Sequence, residues 1–98
     1  MSRYLNEVTA EELKTIEELA KVFFTEEEVC VFMKFPWEEY KKAIKNKDHP
    51  VHMHYYSGWR QSEFELRKLI MNAAIAGSTP AQNIILEIQK KAFANRLK

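Results

Sequence analysis

The reading turns on TEEEVCVFMKFPWEEYKKAIK, Thr25 to Lys45. Thr25 stands three residues before Glu28, the spacing at which a hydroxyl and a carboxylate cap a helix reciprocally. The pattern predicts a helix over about 26–33, with Val29, Cys30, Phe32 and Met33 apolar. Pro36 then stops that helix, because the residue before a proline avoids the α region. Proline also suits the first turn of a new helix, so a second one is predicted over about 36–46. Its apolar positions are Trp37, Tyr40, Ala43 and Ile44. Two short helices joined by a tight turn match the spacing of a helix-turn-helix. Cys30 is the small residue where the helices cross, Met33 and Phe35 line the turn, and Tyr40 and Ile44 face the core. Lys34 takes the turn position where such motifs often carry glycine. The open face of the second helix then shows Trp37, Glu38, Lys41, Lys42 and Lys45, with Lys34 and Lys47 at its ends.

Outward from this stretch the chain continues as helices with short stops. Toward the N-terminus, Thr9 and Glu12 repeat the reciprocal cap. Leu13, Ile16, Leu19, Ala20 and Phe23 recur at three- and four-residue steps, which predicts a helix over about 10–23. Toward the C-terminus, Asn46 to Pro50 reads as a loop, and Pro50 can open a helix running to about residue 76. Its expected seam is Tyr55 or Tyr56, Trp59, Leu66, Leu69 or Ile70, and Ala73. Gly58 inside it marks a kink or a close helix crossing. Gly77 stands where a left-handed C-terminal cap is wanted, and Ser78-Thr79-Pro80 restarts a helix over about 80–95. The expected fold is all-α. It is a single domain over 1–98, with a helix-turn-helix part at 9–46 and a long antiparallel helical hairpin at 50–95.

Composition narrows the function classes. The chain has 98 residues, 46% of them apolar and 30% charged, which suits a globular domain and is too apolar for disorder. Cys30 is the one cysteine, so no internal disulfide forms and a reducing compartment is expected. No apolar run reaches the roughly 18 residues of a membrane span. Met1 to Val8 lacks the basic-then-apolar order of a signal peptide. A cytoplasmic location and no membrane partner are therefore expected. The net charge of +1 hides a polarity: the eight glutamates of the sequence up to Met33 meet three bases, while twelve bases meet six acids after it.

Five lysines between Lys34 and Lys47 can neutralise phosphates. Lysine is a point-charge phosphate binder and a poor bidentate reader of bases. Glu38 and Glu39 fall at the groove-facing end and repel the backbone. The expectation is contact with double-stranded DNA led by its backbone, through Lys34, Trp37, Lys41, Lys42, Lys45 and Lys47. On the hairpin, Tyr55, Tyr56, Trp59, Leu66, Ile70, Ile85 and Ile88 are expected to build a homo-oligomer, because helices of this length exceed what the rest of the chain can cover.

Several stretches carry a family likeness. Phe23-Phe24-Thr25-Glu26-Glu27-Glu28-Val29, the turn at Phe35-Pro36, Tyr56-Ser57-Gly58, Glu65-Leu66-Arg67 and the corner Ala76-Gly77-Ser78-Thr79-Pro80-Ala81-Gln82 together resemble phage and prophage terminase small subunits. The resemblance covers roughly residues 9–95. It implies a helix-turn-helix that engages viral DNA for packaging, a helical hairpin that builds a ring, and a tail that meets the large terminase ATPase subunit. By position it implies that Lys41, Lys42 and Lys45 lie on the DNA face. Only a few residues follow the last helix, so a tail of that kind is expected to be missing or very short.

Other chemistry is not expected. His49, His52 and His54 lie close in sequence, but His52 and His54 point apart on a helix, and no fourth ligand converges for a zinc site. No nucleophile-base pair, phosphate loop or metal motif suggests an enzyme. No metal or cofactor is expected. Two further readings stay open: a small dimeric transcription regulator, and a helical protein-protein adaptor that does not bind DNA.

Overall fold

The computed structural model describes residues 7–96, and every extended regular element among them is helical. In order these are α1 (Ala10–Lys21), α2 (Glu26–Met33), α3 (Trp37–Lys45), α4 (Pro50–Ile75) and α5 (Thr79–Arg96). The chain divides into two compact units, Met1–Ser62 and Glu63–Lys98. The division falls inside α4, after Ser62. The reason is packing: Val51, Tyr55 and Gly58 of α4 are buried with the residues that precede them.

Within the first unit the core is built from Ile16 and Ala20 of α1, Val29 and Cys30 of α2, Phe35, Tyr40, Ala43 and Ile44, and Val51 and Tyr55. Both expected helix starts form. Thr9 accepts from the Glu12 amide while Glu12 accepts from Thr9, and Thr25 and Glu28 do the same. α3 starts differently: Pro36 stands just outside it, with no side-chain cap.

The helix ends hold what the sequence pattern missed. α1 stops at Lys21, two residues early, because Phe23 adopts a left-handed backbone (φ 64°). The Phe24 amide donates to the Leu19 carbonyl and the Phe23 amide to Ala20, the paired bonds of a Schellman motif. The end of α2 repeats it: Phe35 donates to Cys30, Lys34 to Val31, and Lys34 is left-handed at φ 59°. Glycine is the usual residue at such positions, so Phe23 and Lys34 hold a conformation that costs L side chains energy. Lys34 thus takes the glycine-like turn conformation its position called for.

Gly58 marks a close crossing. A Cβ at this residue would stand 2.2 Å from the Glu17 carbonyl oxygen and 3.1 Å from the Ala20 Cβ. The backbones of α1 and α4 therefore meet where no larger side chain fits. Cys30 is buried, as its crossing position implied, and its thiol donates to the Phe35 carbonyl at 3.3 Å. Burial pushes that thiol's pKa up, which makes it a poor nucleophile.

The second unit holds the end of α4 and all of α5. Its corner is a third Schellman motif, with Ser78 donating to Ala73, Gly77 to Ala74, and Gly77 at φ 104°. Ser78, not Thr79, caps α5 by accepting from the Ala81 amide. Pro80 is consequently the second helical residue, and Gln82 reaches the Ala74 carbonyl at 3.1 Å. Among the described residues of this unit Ala81 alone is buried, while Phe64, Leu66, Leu69, Met71, Ile75, Ile84, Leu86 and Phe93 are exposed.

Candidate nucleic-acid interface

α3 has two unlike faces. Tyr40, Ala43 and Ile44 are almost completely buried, which leaves Trp37, Glu38, Lys41, Lys42 and Lys45 in solvent. The 3.6-residue period causes this: burying 40, 43 and 44 turns 37, 41 and 45 along one outer ridge, one step of four apart. Lys34 and Lys47 are exposed at the two ends. Among the described residues none of Lys34, Lys41, Lys42, Lys45 and Lys47 takes part in an ion pair. Elsewhere in the chain Lys21, Lys68 and Lys90 pair with Glu18, Glu65 and Glu87.

The ridge forms one wall of an open groove of about 760 Å³ in the first unit. Trp37, Lys41 and Lys45 line it together with Phe23 and Thr25 from the turn before α2, Glu26 and Glu27 from the first turn of α2, and Tyr55 and Trp59 from α4. Phe23 meets Trp59 edge to face at a centroid distance of 5.2 Å. The left-handed backbone of Phe23 turns the chain here, and nothing in the local sequence signals it. The acidic side of the groove belongs to Glu26 and Glu27, to which sequence reasoning gave no role of their own.

Three residues expected at an oligomer interface are engaged inside their own unit. Tyr55 is 4% exposed and donates to the Phe24 carbonyl at 2.7 Å, so it is core rather than interface. Tyr56 is half-buried and donates to the Glu26 carboxylate. That bond, with burial second, pushes the Tyr56 pKa up to about 12, since ionisation would break it and set two anions together. Trp59 is half-buried against Phe23. Helical periodicity places these three on one seam with Leu66 and Ile70, but the seam divides. Ile70, Ile85 and Ile88 are half-buried in the second unit and Leu66 is exposed.

The histidines serve local structure. The Val51 amide donates to His49 Nδ1 at 3.1 Å, and His52 donates from Nδ1 to the Ile44 carbonyl at 2.6 Å. His54 lies 3.6 Å from the Glu17 carboxylate. Among the described residues no group of three metal-ligating side chains converges, and no helix is long and apolar enough to cross a membrane. Compared with known proteins, the chain matches no family model, no curated protein and no solved structure.

Proposed function

We propose that this chain is a non-enzymatic, homo-oligomeric DNA-binding protein of the kind its sequence resembles, a phage terminase small subunit acting in DNA packaging in the host cytoplasm. In this reading α2, the turn at Lys34–Pro36 and α3 form a helix-turn-helix, and α4 with α5 forms the antiparallel hairpin of the assembly. The observation that carries it is the set of five exposed lysines without ion-pair partners among the described residues, gathered on and beside one helix whose opposite face is buried. Unpaired ammonium groups give up no existing partner when a phosphate arrives, and each phosphate neutralised releases counterions. Each subunit holds few such groups, so binding depends on avidity: assembly makes later contacts intramolecular.

The second unit supports the assembly half of the reading. A stretch of 36 residues, of which Ala81 alone is buried among those described, lies below the size at which domains usually fold alone, and oligomerisation is one remedy. The surface for it is the exposed group of Phe64, Leu69, Met71 and Ile75 and their α5 counterparts, not Tyr55, Tyr56 and Trp59. The large terminase ATPase subunit is the protein partner this reading implies.

Salt dependence of binding to a labelled duplex tests the DNA half. Lys41→Ala with Lys42→Ala should weaken binding to all duplex sequences alike. It should also flatten the log–log salt slope by about 0.9 for each phosphate that is no longer neutralised. An unchanged affinity and slope removes α3 as the DNA face. Light scattering tests the assembly half: a ring is the packaging form, a dimer fits a transcription regulator, and a monomer at tens of micromolar overturns self-association.

A further inference from the structure

From the groove beside α3, and on the premise that α3 is the DNA face, we infer that this protein holds an unpaired nucleotide at a DNA end or a locally opened pair. The groove offers three kinds of contact in one place. Trp37 is 44% exposed on its wall and Phe23 is 41% exposed, so part of each aromatic side chain is open to a ligand. Lys41 and Lys45 follow Trp37 at steps of four along the ridge and form no ion pair, which leaves two cations beside the ring. Glu26 and Glu27 line the same groove, and one Glu26 carboxylate oxygen takes the Tyr56 hydroxyl.

These groups match the parts of a nucleotide. The phosphate suits the lysines, the base stacks on the aromatic wall, and a base N–H donor suits a carboxylate, which can only accept. A volume of about 760 Å³ falls within the range of small-ligand clefts. Duplex DNA cannot make this set of contacts. Its bases are stacked on one another, and their Watson–Crick donors are already engaged. The occupant is therefore a nucleotide with a free face and a free edge. Glu26 and Glu27 repel a continuous phosphate backbone, so the groove favours a base over further backbone at that side.

The test compares a labelled blunt duplex with the same duplex carrying a short single-stranded thymidine tail, each titrated with the whole protein. The tailed duplex should bind about tenfold tighter, the scale of one base–aromatic stack. Trp37→Ala should abolish that advantage, so that blunt and tailed duplex bind the variant equally, while Trp37→Phe should keep most of it. Lys42→Ala, at a residue outside the groove, should weaken both duplexes equally. Equal affinity of the parent protein for blunt and tailed duplex overturns this inference and leaves the DNA-binding reading standing. An advantage that survives Trp37→Ala in a protein with parental helicity overturns it too. Failure to bind either duplex removes the DNA-binding reading and this inference with it.

Discussion

Replacing Gly58 by alanine should destabilise the first unit, although alanine is the better helix former. The two effects have opposite sign and separate sizes. In a helix interior the substitution gains about 1 kcal/mol in propensity. Against this, the new methyl would lie 2.2 Å from the Glu17 carbonyl oxygen, 3.0 Å from its carbon and 3.1 Å from the Ala20 Cβ. A backbone carbonyl cannot swing aside as a flexible side-chain end does. α1 and α4 must separate by about 1 Å, which loosens the packing of Ile16 and Ala20 in a close-packed core. Overpacking of this kind costs about 1–3 kcal/mol and occasionally more. Contact with backbone puts this case at the upper end, so a net loss of about 2 kcal/mol is expected. Urea titration followed by helicity reads it as a lower midpoint with an unchanged slope. Gln61→Ala and Gln61→Gly, at an exposed position of the same helix, calibrate the propensity difference on this chain. A Gly58→Ala protein with a raised midpoint would refute the close crossing.

Two further outcomes follow from the tyrosines. Tyr40 is fully buried and its hydroxyl has no hydrogen-bond partner among the described residues, so Tyr40→Phe should raise stability by about 1 kcal/mol in the same titration, and a loss would mean that the hydroxyl is bonded. Tyr56 has a folded pKa pushed up to about 12 from an ordinary value of 10.0, so its stabilising bond to Glu26 is fully present below pH 10 and is lost as the pH rises toward 12. Urea midpoints measured between those values should fall with pH, and Tyr56→Phe should flatten the fall; an equally steep fall in the variant assigns it to other groups.

Helix starts were legible in the sequence because their signals are local. Thr9 with Glu12 and Thr25 with Glu28 each satisfy amides within one turn, so a four-residue window contains the whole interaction. Gly77 was legible for a related reason, since glycine alone visits its backbone conformation without strain. The inward and outward faces of α3 followed from period alone, and so did the lysines on its outer ridge. Tertiary structure decided the rest. Phe23 is left-handed although nothing in its local sequence marks it, whereas Lys34 stands at a turn position where such motifs often carry glycine. Local pattern did not place Tyr55 either: helical spacing set it on a seam with Leu66 and Ile70, but α4 contributes its first half to one compact unit and its last half to another. Which side chains of a long helix are core and which are open surface depends on what lies beside each turn of it. Residues far apart in sequence supply those neighbours, as Phe24 does for Tyr55 and Glu17 for Gly58. The groove is of this second kind, because residues 23–27, 37–45 and 55–59 line it, and only packing brings those three stretches together.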